Sequence, residues 1–347
     1  MIHRVATLTL ALAVSASPSG LLHAQSAPPS TAPAAPAAPA APAEGAPLTV
    51  RRLHVDLERG FGRHWCGGNA FMTAYLNALS MSFPVGEQFF IDSVRNGIDK
   101  LPADLPAAER ESWQTLAKGF IGQEATHRRL HALMNAELAR QGLVNTWEER
   151  GRARIEATRA RLVGKSYTHL VELAITAAYE HYTAVLAEEL LLGREDQPGD
   201  WFADAEPVMR VFWRWHAAEE SEHKSVAFDL YQRLGGATRH RVRAFALVSV
   251  FFALDATRQT VRNLHEDGTL WKLSTWRQAL AFVIGRHGAL WRVARPLAQY
   301  LRADFHPSRV GSGQAAQRWL AAHAGEWTPV GAASTPAARA AVNALPP

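Results

Sequence analysis

The strongest constraint on the fold is a set of acid and imidazole side chains placed inside apolar helical stripes. Phe212, His216, Glu220, His223, Ala227 and Leu230 recur in steps of four, four, three, four and three, which keeps all of them on one side of a helix. A second stripe reads Leu116, Phe120, Glu124, His127, His131, Met134 and Leu138. A third is Leu173, Ala177, Glu180, Ala184, Ala187 and Leu191, and a fourth is Phe83, Glu87, Phe90 and Val94. Each stripe is interrupted near its middle by a carboxylate. Burying an ionised carboxylate costs several kcal/mol unless it is paired or holds a metal. Four facing one another repel strongly, and two divalent cations would neutralise them.

Two stripes also carry Glu-x-x-His, whose members point the same way. One Glu from each of two helices plus Glu-x-x-His from two more is the di-metal carboxylate arrangement of helical bundles. The sequence therefore predicts an all-α, ferritin-like four-helix bundle with additional C-terminal helices. Its expected ligands, also the expected catalytic groups, are Glu87, Glu124, His127, Glu180, His216, Glu220 and His223. Glu180 is preferred to Glu172 and Glu188 because it is central in its stripe. His216 is expected to give the second metal, that of Glu220 and His223, an extra nitrogen. His131, Asn135, His181 and Asp229 are weaker expectations, as hydrogen-bonding neighbours of ligands. Glu219, Glu222 and Lys224 read as a solvated or rim face, and Tyr179, Tyr182 and Tyr231 as packing. Oxygen-rich ligands with a few imidazoles suit two iron ions, or manganese or a mixed pair, better than zinc. The single cysteine, Cys66, excludes an intramolecular disulfide and any Cys-rich metal site.

From about Ala70 the pattern is helical, with no convincing strand. The sequence predicts helices over Asn69–Ser82, Pro84–Ile98, Ala107–Gln141, Arg152–Leu162, Tyr167–Leu192, Asp200–Leu234, Arg239–Leu264, Leu273–Ile284 and Gly288–Leu301. Gln197-Pro198-Gly199 reads as a turn. Ala244–Leu254 is the most apolar stretch of this region but is about half of the roughly 20 residues a spanning helix needs. It reads as a buried bundle helix. Trp271, Trp276 and Trp291 nearby keep peripheral membrane contact in play.

Residues 48–310 are expected to form one domain, with a peripheral tail over 311–347. Before it, a basic start, an apolar run over Val5–Val14 and small residues up to Ala24 resemble a secretory signal. Residues 25–47, almost all Ala and Pro, read as an extended linker. Export to the periplasm or medium is the expectation, with a cytoplasmic protein the alternative if the start is mis-assigned. The 37 basic and 32 acidic side chains give +5, without a nucleic-acid-binding motif or basic stripe. Nucleic acid is not an expected partner, whereas a homodimer and weak attraction to anionic membranes are compatible with the sequence.

The order Glu87, Glu124/His127, Glu180 and His216/Glu220/His223 resembles that of di-iron arylamine N-oxygenases of the p-aminobenzoate type. A wider resemblance covers roughly Arg51 to Arg302. SFPVGEQFF (Ser82–Phe90), FIGQEATHRRLHALMN (Phe120–Asn135), EHYTA (Glu180–Ala184) and WHAAEESEHKSVAFDLY (Trp215–Tyr231) are similar to the bacterial family labelled predicted metal-dependent hydrolases. Two chemistries follow as expectations. The first is a di-iron oxidase or oxygenase using O2 and an electron donor on a small apolar substrate. The second is a two-metal hydrolase in which activated water attacks an ester, amide or phosphoester. An iron-oxidising, metal-handling protein ranks third.

Overall fold

The computed structural model describes residues 47–192, 199–311 and 313–331. The expected export signal, nearly all of the expected linker, Gln197 and Pro198 of the expected turn and the end of the tail lie outside the described residues. What is described is predominantly helical: α1 (Ala70–Ile98), α2 (Ala107–Arg140), α3 (Thr146–Leu162), α4 (Thr168–Leu191), α5 (Pro207–His223), α6 (Val226–Arg233), α7 (Thr238–Glu266), α8 (Leu273–Ile284), α9 (Ala289–Gln299) and α10 (Gln314–Ala322). The all-α expectation holds. Helices α1, α2, α4 and α5 each contribute a stripe to the bundle, and Phe120, Leu173, Phe212 and Leu230 sit in its core with no exposed surface.

Four helix boundaries differ from the sequence reading. Pro84 was expected to start a new helix, yet α1 runs through it. Proline removes the N–H that would meet the Ser80 carbonyl, and Asn135 Nδ2 donates to that carbonyl instead, at 3.0 Å. Asn145 Nδ2 similarly takes the Met81 carbonyl at 2.8 Å. The helix expected from Asp200 to Leu234 begins only at Pro207, a residue suited to a first turn. The Asp200 side chain accepts from the Phe202 N–H at 2.9 Å, and the Glu206 N–H donates to the Trp65 carbonyl at 2.9 Å. These bonds compete with the helical ones. A break at Lys224–Ser225 then separates α5 from α6. Helix α3 starts at Thr146 rather than Arg152, because Gln259 Oε1 accepts from the Thr146 and Trp147 N–H groups and Asn145 caps Glu148.

Helix α7 packs against α1 and α4, but it is buried on one face only. It is long and apolar enough to cross a membrane by length and composition, with 33% of its most apolar stretch buried. Its inward polar groups tie it to the bundle: Arg241 donates to the Tyr300 and Arg302 carbonyls, and Asp255 pairs with Arg150 and Arg154.

The tail contributes more than expected. Helix α10 buries Ala315, Ala316, Trp319 and Leu320. Beyond it, β2 (Trp327–Pro329) pairs antiparallel with β1 (Arg51–Leu53), Arg51 opposite Pro329. The residues before β1 lie tightly on α2. A Cβ added at Gly119 would come within 2.6 Å of Leu48 Cβ, and one at Gly122 within 2.4 Å of Val50 Cγ2. Two glycines one turn apart thus admit the chain that carries Arg51.

Candidate metal centre

The seven expected ligands converge from four helices, Glu87 from α1, Glu124 and His127 from α2, Glu180 from α4, and His216, Glu220 and His223 from α5. None is more than 4% exposed. Glu87, Glu124 and His127 present atoms within 4.8 Å of one another, and so do Glu124, Glu180, Glu220 and His223. Glu124 belongs to both groups, as a carboxylate bridging two ions would. Glu172, the competitor of Glu180, is taken instead by Asn96 and Arg159.

His216 departs from expectation. Its Nε2 lies 2.8 Å from Glu220 Oε1 and 4.0 Å from Glu87 Oε1, and its ring stacks on His127 with centroids 4.2 Å apart. It therefore joins the Glu87–His127 side, not the His223 side. Its ligand atom lies within 4.8 Å of those of His127 and Glu220, and no such group joins it to His223 among the described residues.

Hydrogen bonds orient all three histidines. Asn135 Nδ2 donates to the Ser80 carbonyl, so its Oδ1 accepts from Ser80 Oγ at 2.8 Å. Ser80 Oγ must then accept from His131 Nδ1 at 2.9 Å, and His131 Nε2 from His216 Nδ1 at 2.6 Å. That leaves His216 Nε2 a bare lone pair aimed at a carboxylate oxygen. Gln123 Nε2 donates to Thr49 O and Glu222, so Gln123 Oε1 accepts from His223 Nδ1 at 2.9 Å and bares His223 Nε2. His127 Nε2 donates to Glu219 Oε2 at 3.1 Å, baring Nδ1. Histidines that hold metals are typically oriented in this way through the other ring nitrogen.

The residues present fit a pair of cations. Both oxygens of Glu87, Glu124 and Glu180, Glu220 Oε2, His127 Nδ1 and His223 Nε2 are buried without a hydrogen-bond partner among the described residues. Such atoms normally have partners. The electrostatics show the same demand for positive charge. Burial, then the neighbouring Glu124, pushes the Glu87 carboxyl well above its usual range; burial, though opposed by His223, does the same to Glu180. Burial opposes charge on His127, but the carboxylates of Glu219 and Glu220 outweigh it and push it up to about 10. Burial and then His127 lower His216 to about 4, and burial lowers His131 strongly, which disfavours a cation at either ring.

Of the weaker expectations, His131 and Asn135 sit in the relay just described. His181 does not approach the centre: its Nε2 lies 3.2 Å from the Pro296 carbonyl and its ring stacks on Tyr300. On α4 it follows Glu180 by about 100° of rotation, which turns it to the α9 side. Asp229 is also elsewhere, paired with His306 at 2.7 Å near the surface, because the break after His223 takes α6 away from the site. Tyr231 is a packing residue whose hydroxyl donates to the Ala237 carbonyl.

Sequence reasoning missed five residues. Glu219, expected on a solvated or rim face, has no exposed surface. Glu219 Oε1 accepts from Arg51 Nη1 at 3.1 Å; Arg51 also donates to Glu222 Oε2 at 2.7 Å and Oε1 at 2.9 Å. Glu222 in turn accepts from Gln123 Nε2 at 2.8 Å. A continuous path thus runs from His127 through Glu219, Arg51, Glu222 and Gln123 to His223, joining both halves of the centre. Lys224, also read as solvated, is buried and donates to the Val310 carbonyl. Gln123 and Glu219 each directly precede a ligand, a usable signal; Arg51 has no local signal.

Residues 49–311 match the profile of the family described as predicted metal-dependent hydrolase, which is more than half the chain. The chain belongs to that family. The matched span contains every expected ligand together with Arg51 and Gln123. The family's description fits the hydrolytic expectation better than the oxygenase one, and metal dependence is common to both. The chain matches no curated protein and no solved structure.

Proposed function

We propose that this family member is a dinuclear metal-dependent enzyme, and that its centre carries di-iron oxidase chemistry on a small apolar molecule. The observation that carries the dinuclear reading is the bare face of three oriented histidines, set against four buried carboxylates that lack protein donors. Support for iron comes from the donor set, all carboxylate oxygen and imidazole nitrogen. Glu87, Glu124 and His127, joined by His216, would hold one ion, and Glu124, Glu180, Glu220 and His223 the other. A bound iron pair supplies electrons to O2 and so the power to oxidise a substrate. The chain's own part is to hold that pair and exclude water. Phe83 packs on His131 and His216, Trp215 edges onto His127, and Phe120 edges onto His223. An apolar wall of this kind suits an apolar substrate.

The second reading, hydrolysis by water activated between two divalent ions, is favoured by the family description. One experiment separates the two. Metal-free protein is loaded with Fe(II) without oxygen, and bound iron is counted. O2 is then added while its consumption and the visible spectrum are followed; parallel samples loaded with Mn(II) or Zn(II) are assayed on ester and phosphoester substrates. Two irons per chain and O2 uptake lost in Glu220→Ala establish the oxidase. Two metals with O2-independent hydrolysis and no O2 uptake establish the hydrolase. Failure to bind two metals refutes the centre.

A further inference from the structure

Helices α8 and α9 form a surface that the metal centre does not use. Leu273, Trp276, Leu280 and Ile284 recur in steps of three, four and four along α8 and are 66%, 46%, 60% and 46% exposed. The opposite face of the same helix is the packed one: Thr275 and Ala279 are buried, and the Phe282 ring meets Phe71, Tyr75 and Trp201. Trp271, just before α8, is 88% exposed, and Trp291 on α9 is 64% exposed. The Trp291 indole N–H donates to the Ile284 carbonyl at 3.1 Å, which places its ring at the end of the α8 stripe and continues the apolar surface onto α9. The Trp276 N–H likewise donates to the Leu270 carbonyl at 2.8 Å, which satisfies the indole's polar group while nearly half the residue stays exposed. Exposed apolar stripes of this size on a folded chain mark interaction surfaces.

The charges say what the partner is. Between Gly268 and Ala303 there is no Asp or Glu, while Lys272, Arg277, Arg286, Arg292, Arg295 and Arg302 are all cationic. Arg292 is held by Glu189, and Arg302 by Asp304. Lys272, Arg277, Arg286 and Arg295 are exposed and form no ion pair among the described residues. A second copy docked face to face would bring these unpaired cations together with no carboxylate between Gly268 and Ala303 to meet them. An anionic bilayer offers both halves of the complement, acyl chains for the aromatic and aliphatic stripe and phosphates for its cationic rim. Tryptophan with flanking Arg and Lys is the composition that seats at the headgroup level.

We propose that the α8–α9 face docks the protein onto an anionic lipid bilayer, Trp271, Trp276 and Trp291 entering the interface and Lys272, Arg277, Arg286 and Arg295 meeting the lipid phosphates. The surface rests on exposure and charge alone and is independent of the chemistry at the metal centre.

The test is sedimentation of the full chain with phosphatidylcholine vesicles prepared with and without phosphatidylglycerol, at low and high salt. The parent protein should bind only the vesicles containing phosphatidylglycerol and be released by salt. Trp276→Ser/Leu280→Ser/Trp291→Ser and Arg277→Glu/Arg286→Glu should each lower partitioning about tenfold or more. Melting temperature serves as the folding control: it should not fall in Arg277→Glu/Arg286→Glu, whose side chains are exposed and form no ion pair among the described residues, whereas the serine variant gives up the indole bonds to the Leu270 and Ile284 carbonyls and is assayed well below its own melting temperature. Absence of binding to both vesicle types overturns the proposal, as does binding by the variants equal to that of the parent, which would place the contact elsewhere in the chain. A parent that is dimeric by ultracentrifugation, made monomeric by the same substitutions and indifferent to vesicles, would assign the face to a second copy and overturn it too.

Discussion

Replacing Arg51 by methionine removes the cation at the middle of the path between His127 and His223. Arg51 donates to Thr49 O, Glu219 and Glu222 at 2.7–3.1 Å and lies over the Trp327 ring with 4.9 Å to its centroid. Removing one partner of a buried ion pair costs about 3–5 kcal/mol. Glu219 has no exposed surface from which to recover solvation, whereas the Glu222 side chain is 21% exposed and recovers part of it. The methionine side chain also retains apolar contact with Trp327. The lower end is therefore expected, about 3 kcal/mol, or a fall in melting temperature of roughly 6–12 °C for a domain of this size. Loosening of Glu219 and Gln123 should also weaken metal binding by about 10–100-fold, the usual range for groups that orient ligands. Chemical denaturation of the metal-free protein and Mn(II) titration read the two effects separately. Arg52→Met, on the exposed neighbour, is the control. A double-mutant cycle with Glu219→Gln should show coupling of about 1 kcal/mol or more. Stability within about 0.5 kcal/mol of the parent, with metal affinity unchanged, would refute the claim that Arg51 braces the centre.

Other consequences are open to direct measurement. Loading the centre should raise thermal stability by about 2.7 kcal/mol at a free metal concentration a hundred times the dissociation constant, and chelation should reverse it; calorimetry checks both. Asn135→Ala should cost about 1–3 kcal/mol in denaturation experiments by orphaning the Ser80 carbonyl above Pro84, and should also release the His131–His216 relay. Gly122→Ala should destabilise by about 1–3 kcal/mol and weaken metal binding along with Arg51→Met, because its Cβ would push Val50 and β1 off α2. Burial would raise the Asp267 carboxyl, but hydrogen bonds from His64, Arg63 and Thr269 hold it below its usual range. A carboxylate depressed on folding stabilises above its unfolded pKa of about 3.9 and loses that contribution as pH falls through the folded value. Asp267→Asn should accordingly flatten the acid limb of stability against pH, and an unchanged limb would remove Asp267 from the account.

Much of the centre was legible because a ligand set on a bundle is written in helical period. Glu124 and His127, or Glu220 and His223, need only sit three residues apart in an apolar stripe to face the same interior, and no tertiary information is required. The cost of burying unpaired carboxylates supplied the rest of that inference. The sequence therefore determined the fold class and the convergence of Glu87, Glu124, His127, Glu180, Glu220 and His223. The side of the centre that takes His216 was decided by its contacts with His127 and Glu87, and those required knowing which ligands α1 and α2 bring to each end of α5. The tertiary structure alone also decided the fate of groups whose partners are remote in the chain. Glu219 and Glu222 look solvated until Arg51 reaches them across 168 and 171 residues, and Pro84 looks like a helix start until Asn135 takes the carbonyl it frees. His181 and Asp229 went the other way, because the turn of α4 and the break before α6 point them at neighbours no local pattern contains. Local periodicity specifies which face a residue occupies; only packing specifies what that face meets.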